Sequence, residues 1–354
     1  MLTKPQLSSV LINLICAKLL LSYPRRIIQN SASAAWIEMI YVTLIVLALF
    51  CVTARVYKSQ KSVIELGQIL FGKYARIIVG IICFLILGTS FISVLRIYSE
   101  SVKIILLQNT DVDLILAIFI LTSAVGAYIG LKPIAKISYI VLPVAALIFI
   151  AFLLLLVTDY NSQNIAPLFG TGSKNLLIDG INSCYVFSDI IVLNLLLSHT
   201  DSIDNAFRTG VRSIVISGIA GTLICFAYCL IFPYPTSKEF IMPVYQLTRF
   251  INTSSFFNRF EAFFQFTWSI LVMLYGSAYI YLMSYTWQIS FSLKHLRPLI
   301  FPVSLLCASV ALLPDSLMDF IEVSHSIEIY IYPTALLLPL VIGFIARKKL
   351  KKDI

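Results

Sequence analysis

Residues 176–197 read LLIDGINSCYVFSDIIVLNLLL, and the placing of this stretch decides the fold. It has the length of a bilayer-spanning helix, which takes about 20 mostly apolar residues. Yet it carries Asp179, Asn182, Ser183, Ser188, Asp189 and Asn194. A charged side chain at the bilayer centre costs about 2.5–3.5 kcal/mol even on lenient insertion scales, so such a helix cannot face lipid on all sides. It reads as a central helix whose polar groups satisfy one another inside the protein or line a water-filled cavity. Asp189 lies ~20 Å along it at 1.5 Å per residue, near the midplane.

The rest of the chain agrees with a membrane setting. Of 354 residues, 59% are hydrophobic and 12% charged, against about 45–50% and about 25% in soluble domains. The apolar runs predict spans at 7–24, 34–54, 77–99, 112–130, 137–157, 176–197, 211–232, 261–286, 298–314 and 328–346. The expected fold is therefore an all-α integral membrane protein of about ten transmembrane helices, a single transmembrane domain over 1–354. Lys4, the apolar run and Ala32-Ser33-Ala34 imitate a signal peptide, but Lys18 interrupts the run and Arg25 and Arg26 precede the supposed cleavage site.

Basic residues set the orientation. With a cytoplasmic N-terminus, the inner face receives Lys4; Arg55, Lys58, Lys61, Lys73 and Arg76; Lys132 and Lys136; Arg208 and Arg212; Lys294 and Arg297; and Arg347, Lys348, Lys349, Lys351 and Lys352, most of the 26 in the chain. Both termini are then expected in the cytoplasm. The net charge of +9 is a topology signal and needs no nucleic-acid partner. The outer connection 233–260 contains Pro233, Pro235 and Pro243, then an amphipathic stretch from Val244 to Ile251. That stretch reads either as a helix lying on the membrane surface or as a lid over an outward-facing cavity.

Lys18 is the second charge near the midplane, ~17 Å into the first span. Ten spans divide into two sets of five, 7–157 and 176–346, and an odd number makes the second set start from the opposite side, as in inverted-repeat transporters. Lys18 and Asp189 then occupy the first helix of each set. This coincidence of count, orientation and charge predicts a midplane site at which the two side chains approach each other. Arg96 and Glu100, spaced i,i+4, are expected to form a structural ion pair. Arg259 and Glu261 open span eight; they cannot share a helical face, and Glu261 is expected to reach a neighbouring helix. Glu38, at the start of span two, is expected at the membrane interface.

Cys16, Cys51, Cys83, Cys184, Cys225, Cys229 and Cys307 all fall in apolar runs without metal-ligand spacing and read as small buried hydrophobes. His199, His295 and His325 lie far apart in sequence. No nucleophile elbow, zinc-protease or phosphate-loop motif occurs, so neither an enzyme nor a cofactor or metal is expected.

At this point the chain resembles the spore germination permeases, the GerAB-type B subunits of nutrient germinant receptors. The resemblance rests on Leu20-Leu21-Ser22-Tyr23-Pro24-Arg25 followed by Ala34-Ala35-Trp36-Ile37, and on Leu95-Arg96-Ile97-Tyr98-Ser99-Glu100. It continues through Gly130-Leu131-Lys132-Pro133-Ile134-Ala135-Lys136 and Asn164-Ile165-Ala166-Pro167-Leu168-Phe169-Gly170 to Phe256-Phe257-Asn258-Arg259-Phe260-Glu261-Ala262. It implies the five-plus-five inverted-repeat, LeuT-like fold of the amino acid, polyamine and organocation transporter superfamily. It also implies nutrient sensing (amino acids, sugars or nucleosides) at the spore inner membrane, with an A-type subunit and a lipoprotein C-type subunit as partners. The superfamily's broken helices usually carry glycine at the break, whereas Cys16-Ala17-Lys18 and Phe187-Ser188-Asp189 have none.

Two readings follow: a receptor subunit whose small nutrient ligand, an amino acid, shifts a conformational equilibrium, or a working transporter or ion conduit. Either needs a midplane site, expected to comprise Lys18 and Asp189 with Cys16, Ala17, Tyr185, Phe187 and Ser188, and with Gly88 and Phe91 across the cavity. The orientation is open to direct test. A reporter that is active only outside the membrane should stay silent when fused after Ile354, and activity there would reverse the assignment.

Overall fold

A computed structural model describes residues 2–21, 23–240, 242–251 and 260–350, excluding the side chains of Ser173, Asn175, Asp179, Phe260, Glu261, Ala262, Phe263 and Leu350. In chain order the helices are α1 (Lys4–Leu21), α2 (Tyr23–Ser31), α3 (Ala35–Val56), α4 (Val63–Phe71), α5 (Lys73–Ile105), α6 (Val112–Ile129) and α7 (Leu131–Leu155). They continue as α8 (Ser173–Asn182), α9 (Ile191–Leu195), α10 (Ile203–Ile231), α11 (Pro243–Arg249), α12 (Phe260–Phe291), α13 (Arg297–Ala311) and α14 (Leu317–Leu350). Among the described residues nine helical segments are long and apolar enough to cross a bilayer, and Arg297–Ala311 is a shorter apolar tenth.

Local chemistry fixes the corners. α4 begins with a capping box: Ser62 accepts from the Glu65 backbone N–H at 3.3 Å, and the Glu65 carboxylate accepts from the Ser62 N–H at 2.7 Å. α6 turns directly into α7 at Gly130, whose φ of 112° a residue with a Cβ adopts only under strain.

α3 packs on α10, α5 on α12, α1 on α7, and α14 on the segment that joins α8 to α9. Lipid supplies no hydrophobic drive between helices, so close packing of small residues matters instead. α6 and α12 cross through a reciprocal pair: a Cβ on Gly126 would lie 2.2 Å from Ser277 Oγ, and one on Gly276 would lie 2.4 Å from Ser123 Oγ.

Two features differ from the sequence reading, and two more bear on points it left open. The tenth span is helical from Leu317, well before residue 328, so Ser324 joins Glu328 in the same helix. The sixth span is α8, an eight-residue 3₁₀ stretch (Ser183–Ile190) and α9, broken without a glycine. In the first span, Cys16-Ala17-Lys18 stay α-helical within α1. The amphipathic segment α11 buries Val244, Leu247 and Thr248 and packs on α2, α10 and α12, so it is docked on protein.

Inserting a branched side chain into the α6/α12 crossing should overpack it. Gly126→Val is expected to lower stability by about 1–3 kcal/mol. Gly88→Ala, whose added Cβ meets only the mobile end of Met283 at 3.3 Å, should be close to neutral. Thermal unfolding of the two purified variants in detergent compares them directly.

Candidate functional site

The break in the sixth span frees backbone groups that a regular helix would satisfy, and side chains from other elements take them up. Tyr23 OH donates to the Ser183 carbonyl at 2.9 Å. Ser183 Oγ donates to Glu38 Oε1 at 2.5 Å, and Ser31 Oγ donates to Glu38 Oε2. Glu38 is fully buried, which corrects its expected interfacial position. The corner from α2 into α3 folds it inward, where it anchors the start of the 3₁₀ stretch.

Lys18 completes the substitution. Its Nζ donates to Ser188 Oγ at 2.6 Å, to the Tyr185 carbonyl at 3.3 Å and to Ser90 Oγ at 3.5 Å, using the three protons of an ammonium. The same Nζ lies 3.7 Å from Asp189 Oδ1 and 3.9 Å from the centre of the Tyr332 ring. Asp189 Oδ1 also accepts from Tyr279 OH, whereas Asp189 Oδ2 is buried without a hydrogen-bond donor among the described residues. One cluster therefore ties α1, α5, the 3₁₀ stretch, α12 and α14 together, and it retains one free acceptor.

A second ion pair lies one layer further along. Arg26 Nη1 donates to Glu328 Oε2 at 2.8 Å, while Glu328 Oε1 accepts from Ser93 at 2.9 Å, Ser324 at 2.7 Å and Tyr332 OH at 3.4 Å. The Tyr185 ring lies between the layers: it stacks on Tyr332 with centres 5.6 Å apart, and the Arg26 guanidinium sits 4.8 Å from its centre. A cavity of about 100 Å³, lined by Lys18, Arg25, Arg26, Ser93, Tyr185 and Glu328, opens beside this layer. It lies toward the end of the bundle opposite the one where Arg347 meets Arg55.

Of the residues expected at the site, the structure brings Lys18, Asp189, Tyr185 and Ser188 together. Phe91 stands one layer behind, its ring stacked on Tyr279 at 6.3 Å. Gly88 faces Met283 on α12, and Phe187 is fully buried in the apolar core. Cys16 points away toward α10, its thiol 3.5 Å from Ser217 Oγ, because two residues along a helix turn a side chain by roughly 200° from Lys18. Ala17 is buried in the core. Arg96 and Glu100 stand 3.0 Å apart, and Arg96 also donates to the Ala311 carbonyl at 3.3 Å. Arg259 and the side chain of Glu261 lie outside the described residues.

Sequence reasoning missed Ser90, Tyr279, Tyr332, Arg26 and Glu328. Ser90 and Ser93 were detectable as hydroxyls on the same stretch of α5 as Gly88 and Phe91. The two tyrosines, inside apolar runs, carried no signal.

The chain matches the family model described as spore germination protein over residues 1–319. It is 23% identical to spore germination protein B2 of Bacillus subtilis (strain 168) over 258 residues, 70% of this chain and 68% of that protein. It is also 23% identical to spore germination protein YndE of the same organism over 200 residues, 54% of each chain. In structure it is similar to Mhp1, a nucleobase-cation-symport-1 family transporter in a closed conformation with bromovinylhydantoin bound (TM-score 0.66, 11% identity, 98% of this chain and 93% of that one). It is likewise similar to MhsT in complex with L-phenylalanine (TM-score 0.67, 10% identity, 94% and 87%). The fold is thus that of the LeuT-like transporters, and the chain belongs to the spore germination permease family.

Proposed function

We propose that this protein is the membrane subunit of a nutrient germinant receptor, which binds an amino acid near the bilayer midplane and thereby triggers spore germination. The reading places it in the spore inner membrane with both termini cytoplasmic, beside an A-type subunit and a lipoprotein C-type subunit. Residues 7–157 and 176–346 are its two inverted five-helix halves, in keeping with the paired packing of α1 on α7 and of the 3₁₀ stretch on α14.

One observation carries the proposal: the unpaired Asp189 Oδ2 beside an ammonium that holds the break of the sixth span together. An acceptor without a donor in a low-dielectric interior is costly, and a ligand ammonium would relieve that cost. Such a ligand competes with Lys18 for Asp189, and Lys18 is what holds the Tyr185 carbonyl and Ser188. Ligand binding is thereby coupled to the conformation of the break, which gives a signal without requiring passage of the solute. Lys18, Asp189, Tyr185 and Ser188, with Ser90, Tyr279 and Tyr332, are the ligand-binding set; Cys16, Ala17, Phe187, Gly88 and Phe91 support it by packing.

The second reading, a working amino-acid or cation transporter or channel, draws on the likeness to Mhp1 and MhsT. Uptake of radiolabelled amino acids by proteoliposomes separates the two: the receptor reading expects binding without accumulation.

Mutation of the pair tests the proposal itself. Removing one partner of a buried ion pair costs about 3–5 kcal/mol, because the other charge is stranded. Lys18→Met and Asp189→Asn should each reduce protein abundance in spores, whereas the double variant should restore abundance but not the germination response. Recovery of both abundance and response in the double variant would make the pair purely structural.

A further inference from the structure

The cavity beside the Arg26–Glu328 pair has an unbalanced charge. Three cations line it: Lys18, Arg25 and Arg26. Lys18 has Asp189 at 3.7 Å and Arg26 has Glu328 at 2.8 Å. Arg25 has no carboxylate within ion-pair distance among the described residues, and its Nε and Nη1 are buried without acceptors.

Glu328 cannot serve as the missing partner. Both of its oxygens are engaged, one by Arg26 and the other by Ser93, Ser324 and Tyr332. Among the described residues the unmet demand of the cavity is therefore for one anion. Beyond the charged groups, the lining combines polar Gln29, Ser93, Tyr185 and Ser324 with Val94, Ile97, Leu317 and Ile321, and the aliphatic four suit a small aliphatic body.

We propose that Arg25 anchors the carboxylate of a small aliphatic amino acid in this outer cavity. The planar guanidinium matches a carboxylate with two parallel N–H···O bonds, a geometry no lysine offers. The inference rests on the receptor reading but selects within it: of amino acids, sugars and nucleosides, only amino acids supply the anion. Arg25 belongs to neither ion pair, so its role can be tested apart from the Lys18–Asp189 cluster.

The test is residue-resolved arginine footprinting of the purified full chain in phospholipid-free detergent. Phenylglyoxal modification of Arg25 is followed by mass spectrometry, with exposed Arg208 as internal reference. The probes are L-alanine and L-valine, their amides, which lack the negative charge, and isobutyrate, which lacks the ammonium. Loss of a charge-assisted hydrogen-bonded pair weakens binding by about tenfold or more, so the acids should slow Arg25 modification by about that factor relative to the amides. Thermal shifts of Arg25→Gln and Arg25→Lys with the same probes should show binding about tenfold weaker or lost in the first and partly kept in the second.

Amino acids that raise the melting temperature without protecting Arg25 would overturn this inference and leave the receptor reading intact. Protection by isobutyrate without any amino-acid binding would uphold the carboxylate anchor and refute the amino-acid reading. No protection by any acid, or equal protection by acid and amide, overturns the anchor. So does protection in nanodiscs by phosphatidylglycerol that the acids cannot displace, because the occupant is then a lipid headgroup.

Discussion

An ammonium and a carboxylate 3.7 Å apart inside the helix bundle are the constraint around which this molecule is arranged. Neither could be kept there alone, because desolvation of a single charge costs several kcal/mol even after relaxation. Together they still need their remaining hydrogen-bonding capacity filled. Ser90, Ser188, the Tyr185 carbonyl and Tyr279 supply all of it except at Asp189 Oδ2. The pair is thus nearly satisfied, and the shortfall sits where a ligand group would add most.

The same cluster explains how the sixth span breaks without glycine. Eight residues of 3₁₀ helix exceed the three or four at which such runs usually stop, since their hydrogen bonds are poorly aligned. Here the side chains of Tyr23, Glu38 and Lys18 reach in from α1, α2 and α3 to bond Ser183, Tyr185 and Ser188. Conformational freedom at the break is replaced by external bonds, and external bonds can be exchanged. No glycine supplies the break; named donors and acceptors hold it instead.

The sequence made the spans legible because the apolar excess leaves no other solvent for them. Lys18 and Asp189 were legible because a lone charge in an apolar run is costly wherever the chain goes. Glu328 and Arg26 were not. The run from Asp315 to Ser326 is polar enough to read as a connection, although α14 is helical from Leu317 and sets Ser324 and Glu328 against Ser93. Glu38 looked interfacial because its burial depends on the corner from α2 into α3, a tertiary fact that no local pattern encodes. Cys16 was assigned by nearness in sequence to Lys18, which an unbroken helix converts into the opposite face.

If the account is right, the ligand enters the Lys18–Asp189 cluster and changes it. The most direct measurement is a density map of the assembled receptor saturated with a germinating amino acid, compared with one of the unliganded form. The account predicts new density within hydrogen-bonding reach of Asp189 Oδ2, with Lys18 withdrawn from Ser188 or the Tyr185 carbonyl. Ligand density elsewhere, with Lys18, Ser188 and Asp189 unmoved between the two maps, would contradict it.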